Sequence, residues 1–196
     1  MVEMNVNKRP ICISVANRII NRIHAQNRWR QDNGMSNIVI TGMLVQKLMY
    51  LCALAWFVDH DNCKMIPEDF KAWAKGPVIP QLYDYFLVYD TNTNLLPVLK
   101  QDNDYVLSKE ESELINHVVD KTCDIPLNTL VDYTQIEGGP WSLFYEGNEP
   151  TRVTIPKCSI REWIRMKKNR NTFDQLLESK TLEVNGQCFS LSKMYK

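Results

Sequence analysis

The sequence predicts a mainly α protein: a compact helical bundle with a small β component, made of short strands and a C-terminal β-hairpin. Three observations predict it. Apolar residues recur at helical spacing, first at Val15, Ile19 and Ile23. The stretch from Met43 to Val58 is apolar nearly all round, which suits a helix at the centre of a bundle. Near the end, Asn185-Gly186 separates Leu182-Glu183-Val184 from Gln187-Cys188-Phe189. Asn-Gly accepts positive φ at both positions of a type I′ turn, and a two-residue loop sets Leu182 opposite Phe189.

Taken in order, the first helix runs from Ser14 to about Arg30, and Asn33-Gly34 ends it with a turn. Thr41 caps a second helix reaching Asp59. Pro67, Gly76 and Pro77 keep any long helix out of the stretch from Met65 to Ile79. Ile79 precedes a proline and should be extended, and Pro80 suits the first turn of a helix through Tyr89. Asp102-Asn103 makes a turn and Tyr105-Val106-Leu107 a short strand. Ser108 and Glu111 form a capping box for a helix with Leu114, Ile115, Val118 and Val119 on one face. Pro126 opens a shorter helix to Thr134. Gly138-Gly139-Pro140 breaks the chain before one helical turn from Trp141 to Tyr145. Val153-Thr154-Ile155 is a short strand stopped by Pro156, and Ser159 to Lys168 is helical. A second capping box at Thr172 to Gln175 starts a last helix to Ser179.

The bulk numbers narrow the function classes. The length of 196 residues fits one domain, read as residues 1–168, with residues 169–196 as an extension packed on it. Lysine and arginine number 23 against 23 aspartate and glutamate, so a strongly basic field for nucleic acid is absent and binding there would need a local patch. No uninterrupted apolar run reaches the roughly 18 residues of a membrane span, and Met1 to Pro10 lacks a signal-peptide core. Cytoplasmic residence without membrane contact is the expectation. Six scattered cysteines with no C-x-x-C pair read as reduced thiols, several of them buried.

Three segments carry a resemblance. They are Leu44-Val45-Gln46-Lys47-Leu48-Met49-Tyr50-Leu51, Ala72-Trp73-Ala74-Lys75-Gly76-Pro77-Val78-Ile79-Pro80-Gln81-Leu82-Tyr83, and Leu130-Val131-Asp132-Tyr133-Thr134-Gln135-Ile136-Glu137-Gly138-Gly139-Pro140-Trp141. In order and spacing they resemble the LQKLLYYA, AWxxGPVxPxxY and LTHxxGGPW segments of the Panacea (SocA-like) antitoxins of bacteria and prophages. Val15-Ala16-Asn17 falls where that family carries VANY. The resemblance implies a helical fold with a small β component. It also implies an antitoxin that neutralises a toxin encoded beside it, by direct binding or, in the SocA branch, as an adaptor delivering the toxin to a protease. Where the family often has a histidine after the threonine of the third segment, this chain has Gln135.

Several residues admit two readings. Trp73 and Tyr83 are rigid aromatic anchors for a partner, or Trp73 plugs the core. Between them lie Lys75, Gly76, Pro77 and Pro80, in a loop that loses little entropy on docking or merely shapes a turn. Gly139, Pro140 and Trp141 form an anion cradle at a helix start, or a hinge that folds Trp141 back onto the bundle. Lys47, in an apolar helix, marks a partner-facing groove or makes a structural hydrogen bond. Arg161, Arg165, Lys167 and Lys168 are a nucleic-acid contact in an alternative regulator reading, or a solvated helix face. His60 and Cys63 have H-x-x-C spacing without a second close pair, so no metal site is expected. No Walker loop, G-x-S-x-G, H-E-x-x-H or dinucleotide fingerprint occurs. The expectation is a non-enzymatic binding protein without cofactor, whose partner is a cognate protein toxin. Self-association is left open.

Overall fold

The computed structural model describes residues 10–89, 105–147, 153–178, 181–184 and 187–190. Among them are eight helices and two antiparallel two-stranded sheets, a mainly α architecture with a small β component. At the centre lies α2 (Gly42–Asp59), capped by Thr41, whose hydroxyl accepts from the Leu44 amide at 3.1 Å. Thirteen of its residues are buried, by α1 (Ile11–Asp32), α4 (Lys109–Thr122), α5 (Leu127–Thr134) and α7 (Lys157–Arg165). By length and mean hydropathy of 1.3 it is apolar enough to cross a membrane, yet 72% of it is enclosed by the fold. A strict apolar run stops at Gln46-Lys47, whereas a helix-long average does not; that is why the sequence count passed it over.

Helix α1 begins three residues before the expected Ser14. Its first turn is capped from far along the chain: the Glu68 carboxylate accepts from the Cys12 amide at 3.1 Å. No local signal announces such a cap. Arginines and one glutamine then recur every four residues along α1 and meet α4 and its C-terminal end in register. Arg18 donates to Asn116 at 2.9 Å, Arg22 to Asp120 at 2.6 Å, Gln26 also to Asp120 at 2.7 Å, and Arg30 pairs with Asp124 at 3.8 Å. The numbers rise together on both sides, so α1 and α4 run parallel.

The segment with three helix breakers folds into a hairpin that the sequence reading described only as a loop: β1 (Lys71–Trp73) pairs with β2 (Gly76–Val78), Trp73 facing Gly76 across the Ala74-Lys75 turn. The expected strand at Val153 to Ile155 contributes a single bridge, Thr154 to Lys71. Two backbone bonds flank it, Ala72 N–H to Val153 O at 3.0 Å and Ile155 N–H to Phe70 O at 2.9 Å. Helix α3 (Pro80–Tyr89) follows directly.

Two expectations are corrected. Tyr105 to Leu107 is not a strand. The Tyr105 hydroxyl instead donates to Glu111 at 3.0 Å, joining the capping box in which Ser108 N–H meets the Glu111 carboxylate at 2.7 Å. That buried carboxylate, 1% exposed, draws the segment onto the helix start. The helix expected from Ser159 to Lys168 breaks at Met166, and α8 (Lys167–Glu178) begins there, five residues before the expected capping box at Thr172. Thr172 lies inside α8 and donates to Lys168 O at 3.1 Å, while Asn169 satisfies Trp163 O at 2.8 Å. The break has a geometric cause. In one continuous helix Phe173 and Leu176 would fall roughly 180° from Ile160, Trp163 and Ile164 at about 100° per residue; the break lets both sets reach the core, where all five are buried.

Helix α6 (Pro140–Phe144) is one short turn, and β3 (Thr181–Val184) pairs with β4 (Gln187–Ser190) with Leu182 opposite Phe189. The expected turns at Asp102-Asn103 and Asn185-Gly186 lie outside the described residues. Cys12, Cys52 and Cys123 are free and buried; burial raises all three thiols, Cys123 to about 12.

Candidate functional site

The three motif segments, far apart in the chain, meet at the β1–β2 hairpin. From α2, Gln46 closes a two-way bond with Ile79: its Nε2 donates to Ile79 O at 3.1 Å and its Oε1 accepts from Ile79 N at 3.0 Å. The next residue, Lys47, donates from Nζ to Pro77 O at 3.0 Å. From the end of α5, Gln135 Nε2 donates to Ala74 O at 2.9 Å. From α6, the Trp141 indole donates to Trp73 O at 2.8 Å. Side chains of three helical segments thus take up four carbonyls of residues 73–79, most of them groups that a two-strand ribbon leaves unpaired.

Gly76 makes this closeness feasible. Its φ is +96°, and a Cβ there would stand 2.7 Å from both Lys47 Nζ and Thr134 Oγ1. Lys47 is fully buried, and burial lowers its pKa to about 7.

Above this base sits an aromatic face. Trp73 and Tyr83 meet edge-on at 5.0 Å between ring centroids. Trp141 stacks on Tyr145 at 4.5 Å. Trp73, Pro80 and Trp141 are half-buried, Lys75 is exposed at the hairpin tip, and Tyr83 is 39% exposed. The Trp73 indole nitrogen is inaccessible and has no hydrogen-bond partner among the described residues.

The expected partner residues therefore divide. Trp73, Tyr83 and Trp141 lie on this face, and Lys75, exposed, and Pro80, half-buried, stand beside them in the chain. Lys47, Gly76, Pro77, Gly139 and Pro140 are enclosed and shape it from beneath. Lys47, 0% exposed, makes a structural hydrogen bond. Gly138-Gly139-Pro140 is a hinge: Gly138 has φ +71°, Gly139 N–H returns to Ile136 O at 2.9 Å, and Trp141 folds back onto β1. Gln46, Thr134 and Tyr145 also line this candidate site without having been singled out in the sequence, and Gln135, noted there only as a departure from the family's histidine, bonds the hairpin tip. A Gln-Lys pair inside an otherwise apolar helix was the signal for the first.

The basic run is divided too. Arg165 donates to Phe57 O at 2.9 Å and to Asp61 at 2.7 Å, and Arg161 to Asp61 O at 2.7 Å. Arg165 beside it holds the Asp61 carboxyl below its ordinary value. These two arginines tie the end of α2 to α7, although Arg165, like Lys167 and Lys168, is exposed. His60 stacks on Trp56 at 3.6 Å and pairs with Glu110 at 3.2 Å. Among the described residues no group of three or more His, Cys, Asp or Glu side chains is placed to hold a metal ion.

The family model described as "Antitoxin SocA-like, Panacea domain" matches residues 45–142, the span from the core helix to the end of the third motif. No curated protein and no solved structure matches the chain.

Proposed function

This chain belongs to the SocA-like, Panacea-domain family of antitoxins, and from that premise we propose that it neutralises a cognate protein toxin by direct binding through the Trp73–Tyr83–Trp141 face, in the cytoplasm and without turning over a substrate. Membership of an antitoxin family implies a protein toxin as partner.

One observation supports this face above others. The three segments that define the family-like pattern meet beneath it, and their polar side chains are spent on holding one hairpin in place. What stands exposed is Tyr83 and the lysine at the turn tip, with the half-buried Trp73 and Trp141 beside them. Large rigid aromatics on a fixed scaffold are the groups that dominate interfaces, because they bury much area while losing little entropy.

Co-expression with the product of each adjacent open reading frame tests the proposal. A toxic neighbour should be silenced and should co-purify. Tyr83→Ala should weaken the complex by about 2 kcal/mol or more, roughly thirtyfold in affinity, while thermal unfolding stays near wild type because Tyr83 is 39% exposed. Undiminished rescue by that variant places the docking surface elsewhere, and a complete lack of toxic neighbours removes the antitoxin role.

A further inference from the structure

Gln46 and Lys47 are consecutive residues on the most apolar of the described helices, 2% and 0% exposed. Two adjacent polar side chains in such a place are costly unless every strong group finds a partner. Neither reaches the surface, so neither can touch another molecule.

Both instead end on one short stretch of backbone. Gln46 takes the carbonyl and the amide of Ile79, at 3.1 and 3.0 Å. Lys47 takes the carbonyl of Pro77 at 3.0 Å. Strand β2 stops at Val78, so Ile79 lies beyond the ladder; its carbonyl also accepts from the Leu82 and Tyr83 amides of α3, at 3.1 and 3.0 Å, so the backbone that Gln46 fixes is the one that starts the helix carrying Tyr83. Lys47 Nζ also fills the space that a side chain at Gly76 would need. Residues 76–79 are thus gripped by α2 on both sides of Val78. Just before them come Trp73 and the exposed Lys75; just after, Pro80 opens the helix that carries Tyr83.

We propose that Gln46 and Lys47 are positioning residues for toxin recognition: by fixing the backbone at Pro77 and Ile79 they hold Trp73 and Tyr83 in the relation a partner reads, without meeting that partner. The inference rests on the docking face proposed above. A face already ordered before encounter has less freedom to lose, and apparent affinity scales with the fraction of molecules whose face is ready. Loosening the grip lowers that fraction and slows productive association. Removing a residue that touches the partner mainly speeds dissociation.

The test compares Lys47→Met, which keeps an unbranched stem and drops the amino group, with Gln46→Met, which removes both the acceptor for Ile79 N–H and the donor to its carbonyl. Hydrogen exchange on the free protein comes first. Exchange at the Ile79 amide should speed up in Gln46→Met while the α1 and α4 amides keep their protection, which also shows that the fold survives. Binding to the co-purified toxin should then show association slowed about tenfold or more, with dissociation nearly unchanged. Wild-type association rates in both variants overturn the positioning role, as does a loss carried by dissociation alone. Tyr83→Ala run alongside separates the two readings. If it binds as wild type, the docking face itself is misplaced. If it loses binding while the α2 variants associate normally, the face stands and the positioning role falls.

Discussion

At the scale of single residues, Lys47 is the most consequential side chain. Its pKa lies near 7 in the fold against an ordinary 10.5, because burial disfavours the ammonium. Between those values the unfolded chain binds the extra proton, so stability rises with pH across that window and is lowest below it. The buried thiols of Cys12, Cys52 and Cys123 act oppositely once the unfolded chain begins to lose their protons, near their ordinary value of 9.0. The lysine effect is therefore cleanest from pH 7 to about 8.5, where one proton per chain corresponds to about 1.4 kcal/mol per pH unit, about 2 kcal/mol in all. Denaturant unfolding at several pH values should show this rise in the wild type and a flat profile in Lys47→Met. An equal slope in both would mean that Lys47 is charged in the folded protein. The sequence showed that Lys47 needed a partner, but not which one: Pro77 O is available only because a hairpin places it there, and carbonyls leave no trace in residue identity.

At the scale of elements, signals that act within a few residues were readable and signals that act across the chain were not. The Thr41 cap, the Ser108–Glu111 box and Pro80 at the start of α3 are local, and all three are found as read. The start of α1 depends on Glu68, and the β1–β2 hairpin on partners from three other segments, so both escaped. The Met166 break was in principle legible, since the angular mismatch between the two apolar sets follows from the sequence alone; a continuous run of helix formers masked it. Thr172 to Gln175 fits the capping pattern yet lies within α8, which shows that four residues of the right type do not make a cap without a chain break before them. For the box that does form, Ser108→Ala should lower stability by about 1 kcal/mol in chemical denaturation. Glu111→Ala should cost more, because Glu111 also receives the Tyr105 hydroxyl. Equal losses would show that the Tyr105 bond adds nothing.

At the scale of the whole molecule, α8 completes the core. Phe173 and Leu176 are each 1% exposed, and Phe173 lies against Tyr133 at 6.4 Å between ring centroids. Removing two such side chains costs about 3–5 kcal/mol for each by large-to-small analogy, much of the 5–15 kcal/mol that a typical domain has. A chain truncated after Lys168 should therefore lose cooperative thermal unfolding and become sensitive to proteolysis. A sharp transition within a few degrees of the full-length protein would show that residues 1–168 stand alone. The family match ends at residue 142, before α7 and α8 begin, so part of what encloses the central helix lies outside the matched span.

The parallel course of α1 and α4 also governs how the polypeptide assembles. Two neighbouring helices that point the same way cannot be joined by a tight turn, so the Arg22–Asp120 rung closes a loop between residues 98 apart in the chain. Such distant closures come late in folding and are slow to reach. Replacing Arg22 should accordingly hasten unfolding while leaving the refolding rate almost untouched, and stopped-flow traces in which refolding slows instead would place that rung in the earliest nucleus.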